Sequence, residues 1–192
     1  MSDVIDAIEK SFKNEIALKP FRSVTVKDIC EGAFISRRTF YANFVDKRAV
    51  VAYLIRRDAI EPMSRALELL SAEETLGIAP AILESFYGGI YDNADFYSAL
   101  VKPMCGVDPT FELVVARALR KVVEEGLLRH CPSGITANDK KQLHFGAYYH
   151  AAAQAIVVEK WIYDNFDPPV QQMAEYQARI IAPSLAQLAG LR

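Results

Sequence analysis

Five side chains between positions 37 and 43 carry the most specific chemistry in the chain: Arg37, Arg38, Thr39, Tyr41 and Asn43. A guanidinium matches the paired acceptors on a guanine edge, and the Thr and Tyr carbons suit a thymine methyl. Hydroxyl, phenol, amide and backbone N–H groups suit phosphate oxygens. These are groups for reading DNA. No comparable set for catalysis is present. His130 and Cys131 are adjacent and near a chain break, and His144 and His150 are six apart, so they do not share a helix face. No Cys/His spacing fits zinc, no Gly-rich loop fits phosphate, and neither Ser-x-x-Lys nor Gly-x-Ser-x-Gly occurs. The expectation is a protein that is not an enzyme and needs no cofactor or metal.

Such residues act only if something presents them, and the flanking sequence describes how. Ile5, Ile8, Phe12 and Ile16 form one stripe of an amphipathic helix over about 3–18, ended by Lys19-Pro20. Thr25 and Asp28 have the spacing of a capping box, predicting a short helix over about 26–33 with Ile29, Cys30 and Ala33 inward. Ser36 is a good N-cap for a helix running to about Phe44, on which Phe40 and Phe44 face the first helix. Phe34-Ile35 is the connector, and Asp46 caps a longer helix carrying Val50, Val51, Leu54 and Ile55. Two short helices joined by a tight turn make a helix-turn-helix, with Arg22, Lys27 and Lys47 on the flanks where backbone contacts belong.

Further helices are expected at about 63–72, 79–92, 95–103, 109–130, 137–166 and 169–189, with breaks at Pro62, Gly77, Pro103, Gly106, Pro132-Ser133-Gly134 and Pro168-Pro169. Pro183 is expected to kink or shorten the last of them. No alternating β pattern competes, so the fold class is all-α with nine or ten helices. Hydrophobic residues make up 52% and charged residues 24% of the 192, which excludes disorder. Three cysteines without paired spacing argue against a disulfide framework and for a reducing compartment. The uncharged stretch from Gln142 to Val158 is shorter than the ~18 apolar residues of a spanning helix, so a soluble, cytoplasmic protein with no membrane partner is expected. The net charge of −2 hides an asymmetry: residues 1–57 carry +4 and the remainder −6. The basic end is the one that would face phosphates.

Thr25-Val26-Lys27-Asp28-Ile29, followed by Ser36-Arg37-Arg38-Thr39-Phe40-Tyr41-Ala42-Asn43-Phe44-Val45-Asp46-Lys47, resembles the second and recognition helices of the TetR family of bacterial transcriptional repressors. The resemblance covers about residues 4–55. It implies a helix-turn-helix domain over 1–47 and a helical ligand-binding and dimerisation domain over 48–192. It also implies that Arg37, Arg38 and Thr39 face bases, while Tyr41, Asn43 and Lys47 contact mainly the DNA backbone. Thr25, Lys27 and Ser36 complete the expected DNA-binding set. Two departures stand out: the turn lacks the glycine that eases tight turns, and Asn43 stands where His or Tyr is frequent. The bland alternative, a solvated basic helix on an ordinary bundle, is disfavoured by the full pattern.

Beyond residue 57 the resemblance implies dimerisation and the binding of a small-molecule effector. The helix over 142–158 is apolar nearly all round, through Phe145, Tyr148, Tyr149, Ala151 to Ala153, Ala155 and Ile156. A core on one side and a second copy on the other explain such a helix. Met173, Tyr176 and Ile180 on the last helix are expected to join that interface. Phe86, Tyr87, Tyr91, Phe96, Tyr97, Met104, Phe111, Tyr148 and Gln154 are the candidates to line an effector pocket, although aromatic stripes are usually plain core. Glu159 shares a face with Tyr148, Ala152, Ala155 and Phe166, so its carboxylate needs a partner or neutralisation. An intersubunit salt bridge, an exposed helix edge or a cationic ligand would each supply that. Together these readings describe a homodimeric repressor of a palindromic double-stranded DNA operator, released by an effector. The same fold serving as a coactivator that binds protein rather than DNA is the alternative.

Overall fold

The first helix forms where the apolar stripe predicts it. Helix α1 (Ser2–Leu18) buries Ile8, Phe12 and Ile16 and stops ahead of Pro20. The computed structural model describes residues 2–68, 74, 77, 79–130 and 136–188. After a 3-10 turn (Phe21–Ser23), Thr25 Oγ1 accepts from the Asp28 N–H at 3.2 Å, and Asp28 Oδ2 accepts from the Thr25 N–H at 2.8 Å. That capping box starts α2 (Val26–Gly32). Ser36 Oγ accepts from Thr39 N–H at 3.0 Å to start α3 (Arg37–Asn43), and Asp46 Oδ1 accepts from Ala49 N–H at 2.9 Å to start α4 (Lys47–Ile55). Each cap satisfies a helix N–H that has no intrahelical partner.

The turn between α2 and α3 has no glycine, and Phe34 takes its place at φ +54° with the ring 96% exposed. A side chain in the left-handed region costs about 1–2 kcal/mol. The turn is held nonetheless by Phe34 N–H to Glu31 O at 3.2 Å and Ile35 N–H to Cys30 O at 3.0 Å.

Pro62 does not break the chain. Helix α4 continues through a π-helical turn (Arg56–Ile60) into α5 (Glu61–Glu68), with Glu61 N–H bonded to the Arg56 carbonyl. Proline lacks an N–H and its ring crowds the carbonyl four residues back. The wider ladder of the π turn immediately ahead opens the place where that bond and that clash would fall.

Helices α6 (Ala79–Tyr91), α7 (Ala94–Val101), α8 (Thr110–His130), α9 (Ala137–Tyr163) and α10 (Val170–Leu188) complete the described chain, and no strand occurs among the described residues. The breaks at Pro103, Gly106 and Pro168-Pro169 fall between helices as expected. Pro183 is carried inside α10, which runs on for five more residues. The Pro132-Ser133-Gly134 break, Cys131 and positions 69–72 lie outside the described residues, and around Gly77 only residues 74 and 77 are described.

Helix α9 packs along α8 and α10 along α6, while α4 lies on α8 and α1 on α7. One core runs from Ile8, Phe12 and Phe40 through Val51 and Leu54 to Phe111, Val115 and Trp161, so the N-terminal helices and the body share their apolar interior. At their junction Arg57 on the π turn pairs with Glu9 of α1, its Nη2 3.0 Å from Oε1. Asp58 beside it accepts from Arg57 Nε at 2.8 Å and from the Tyr97 hydroxyl at 3.0 Å. Burial alone would raise the Glu9 carboxyl, but the hydrogen bonds from Arg57 and Lys13 hold it below the usual range. The polar cluster therefore fastens α1, the π turn and α7 to one another.

Candidate nucleic-acid interface and effector cavity

Helix α3 presents its chemistry because its other face is sealed. Phe40 is fully buried and Phe44 nearly so, their rings 5.9 Å apart at the base of the helix-turn-helix. Arg37 and Arg38 then stand exposed at the N-terminal end of α3, with Tyr41 a turn further on, 56% exposed and edge-on to Phe40 at 5.5 Å. Thr39 is half-buried, its hydroxyl 2.9 Å from that of Ser36. Asn43 is also half-buried, and its Nδ2 donates to the Thr39 carbonyl at 2.9 Å. Thr25 and Lys27 are exposed, the latter 3.6 Å from Glu31 across one helical turn, a surface pair too weak to hold the ammonium in place. Six of the nine expected DNA-binding residues are exposed: Thr25, Lys27, Ser36, Arg37, Arg38 and Tyr41.

Lys47 has a different place from the phosphate contact expected of it. Its Nζ donates to the carbonyls of Phe21 and Val24 at 2.7 Å each and of Arg22 at 3.3 Å, and it lies 4.4 Å from the centre of the Phe21 ring. All three ammonium donors are therefore engaged by the 3-10 turn, and burial pushes the group below its usual pKa. The side chain clamps the segment between α1 and α2 to the start of α4. From sequence this was not visible, because the carbonyls it binds lie 23 to 26 residues away.

The body has a cavity of about 120 Å³, lined by α5, α6, α8, α9 and α10. Of the expected pocket residues, only Phe86 and Gln154 line it. Tyr87, Tyr97, Met104 and Phe111 are buried core instead. Tyr87 packs edge-on to Trp161 at 5.0 Å with its hydroxyl accepting from Gln154 Nε2, and Tyr97 is spent on Asp58. Phe96 is half-buried against Phe12 of α1 at 6.2 Å, Tyr91 is exposed, and Tyr148 is 60% exposed on the far side of α9. The walls that sequence reasoning did not single out are aliphatic: Met63, Leu67, Ile82, Leu119, Val122 and Ile181 among them, with His150. Aliphatic residues at helical spacing give no signal that separates a cavity wall from close-packed core.

Glu159 is buried, away from both the cavity and the exposed side of α9. Its neighbour is a second carboxyl, Glu112 of α8, and one oxygen of each lacks a hydrogen-bond partner among the described residues. Burial first, then the hydrogen bond and like charge of Glu112, push Glu159 up to about 7. None of the partners expected for it is the one found. The linkage has a definite sign: a folded-state pKa of about 7 above the usual 4.5 means that the native state holds a proton the unfolded chain has released. Stability therefore falls as pH rises from about 4.5 to 7 and levels off above that. Glu159→Gln, neutral at every pH and able to donate to Glu112, is expected to raise Tm at pH 8 and to leave it nearly unchanged at pH 4. Thermal unfolding at the two values checks this; a Gln variant less stable at pH 8 would count against the shared proton.

Residues 13–54 match the model of the family described as bacterial regulatory proteins, tetR family. No curated relative matches the sequence. Among solved structures, the dihydroxyacetone kinase operon activator DhaS superposes with a TM-score of 0.57 at 17% identity, over 98% of each chain. The TetR family repressor AlkX from Dietzia sp. strain DQ12-45-1b, implicated in biodegradation of n-alkanes, superposes with a TM-score of 0.57 at 18% identity, over 95% of this chain and 97% of that one. At these identities the superpositions establish a common fold. No helix among the described residues is long and apolar enough to cross a membrane. Over residues 13–54, its helix-turn-helix head, this chain is similar to the bacterial regulatory proteins of the tetR family.

Proposed function

We propose that the protein is a homodimeric transcriptional repressor that binds a palindromic operator and releases it when a small molecule occupies the body. The observation carrying this reading is the N-terminal end of α3, where Arg37 and Arg38 are exposed while Phe40 and Phe44 are sealed beneath them. Each recognition helix enters a major groove, with half-sites one helical turn apart. Arg37, Arg38 and Thr39 read bases; Tyr41, Asn43, Thr25, Lys27 and Ser36 face the sugar-phosphate backbone. Lys47 acts through the clamp rather than through a phosphate.

Dimerisation is supported by the outer side of α9. Phe145 is 71% exposed, and Tyr148, Tyr149 and Ile156 are 60% exposed, with Tyr176 and Ile180 of α10 exposed as well. A row of large apolar groups facing water is the mark of an interface. Met173, expected to join it, is buried in the chain's own core. The effector acts through α5, which lines the cavity and continues through the π turn into α4. A ligand shifts such an equilibrium only as far as it prefers one arrangement.

Selection of bound sequences from random DNA tests the proposal. Enrichment of a palindrome is the expected result, whereas absence of any enriched sequence favours a protein-binding coactivator. Ile156→Glu would set a carboxylate in the dimer interface and is expected to yield a monomer by light scattering at micromolar concentration. A wild-type chain that is itself monomeric there would overturn the dimer.

A further inference from the structure

The cavity in the body has a composition that selects its occupant. Among its lining residues none is Lys, Arg, Asp or Glu, and the two with hydrogen-bonding side chains, His150 and Gln154, are already partnered by the protein. His150 Nε2 lies 2.9 Å from Ser184 Oγ, and Gln154 Nε2 donates to the Tyr87 hydroxyl. His150 is neutral at pH 7, since burial lowers it below the usual 6.5. An ionised group entering this space would lose its hydration and find no counter-charge. The space is also small: about 120 Å³, of the same order as the roughly 150 Å³ apolar cavity that accepts a benzene molecule. It exists because alanines stand where larger side chains would close it, Ala151 of α9 and Ala178 and Ala182 of α10.

We propose that this cavity binds an uncharged, hydrocarbon-like molecule of about one aromatic ring or a short alkyl chain, and rejects the ionised analogue of the same carbon skeleton. The inference rests on the effector reading above and names the chemistry of that effector. Dispersion and removal of apolar surface from water supply the affinity. Size and the absence of a counter-charge supply the selectivity.

The test uses the full-length protein at pH 7 with four probes: benzene, hexan-1-ol, hexanoate and hexylammonium. Calorimetric titration and thermal shift are expected to show binding of benzene and hexan-1-ol. The two ions are expected to bind at least about 30-fold more weakly than hexan-1-ol. Ala178→Leu, which fills the space with three further carbons, is expected to abolish binding of the neutral probes without lowering Tm. Should that variant fail to fold, Ala151→Val, a smaller filling change, reads the same loss of binding. Equal binding of hexanoate or hexylammonium, unchanged binding in the filled variant, or no binding of either neutral probe up to its solubility overturns the proposal. Operator affinity separates the two readings. Neutral probes that bind without releasing DNA leave the cavity chemistry standing and remove the effector role. Release by an ion, with neither neutral probe bound in the cavity, leaves the effector role standing and removes the cavity chemistry.

Discussion

Replacing both Arg37 and Arg38 by alanine is expected to weaken operator binding by about 2–6 kcal/mol, a factor of roughly 30 to 2 × 10⁴ at fixed salt. Each guanidinium that reads a base edge is worth roughly 1–3 kcal/mol, and the two stand on successive residues at the exposed end of α3. Arg38→Ala alone should lose about half of that. Because both side chains lie on the surface and have no hydrogen-bond or ion-pair partner among the described residues, the fold should be indifferent, with stability changed by no more than ~0.5 kcal/mol. Anisotropy titration on the selected operator, beside thermal unfolding of the same variant, separates the effects. Affinity unchanged in the double variant would remove α3 from base reading and return the coactivator alternative to first place.

The largest effect on stability is expected from a single methyl group. Gly89 of α6 lies against the π turn, and a Cβ built on it would stand 2.7 Å from the Asp58 carbonyl carbon and closer still to its oxygen. That is backbone, which cannot step aside as a flexible side chain can. Gly89→Ala should therefore cost about 3 kcal/mol or more, lowering Tm by roughly 6–12 °C for a chain of this size. Its neighbour supplies the control, since nothing lies within 4 Å of a Cβ on Gly88. Gly88→Ala should be neutral, or stabilising by up to ~1 kcal/mol through helix propensity. Equal melting temperatures for the two variants would show that the approach of α6 to the π turn is slack. Function is expected to follow stability here. Asp58 also holds Arg57 and Tyr97, so separating α6 from the π turn loosens the attachment of α1 to the body.

Much of the head was legible in the chain itself. The Thr25–Asp28 capping box, the Ser36 and Asp46 caps and the inward pair Phe40 and Phe44 are local patterns, and each appears where its spacing places it. The same holds for α1 and for the helices of the body, whose ends fall close to the prolines and glycines that announce them. Pro62 is the exception. Whether a proline ends a helix depends on the hydrogen bonds ahead of it, and a π turn is a register choice that no residue type signals.

The pocket was far less legible. Helical spacing tells which side of a helix is apolar, and of the pocket candidates Phe86, Tyr87, Tyr97 and Phe111 are buried. It does not tell what stands opposite, and only Phe86 of these four meets a void. Glu159 was identified as a carboxylate in apolar surroundings, yet its partner Glu112 lies on another helix. Lys47 was recognised by its place after the recognition helix, and its carbonyl partners come from the turn before α2. Sequence by itself determined the all-helical class, the helix-turn-helix and the surface that carries Arg37 and Arg38. These follow from caps and periodicities that act within a turn or two of chain. The tertiary structure alone decided which side chains border empty space, which buried charges meet and which lysine is occupied, because each is set by a neighbour that only folding brings near.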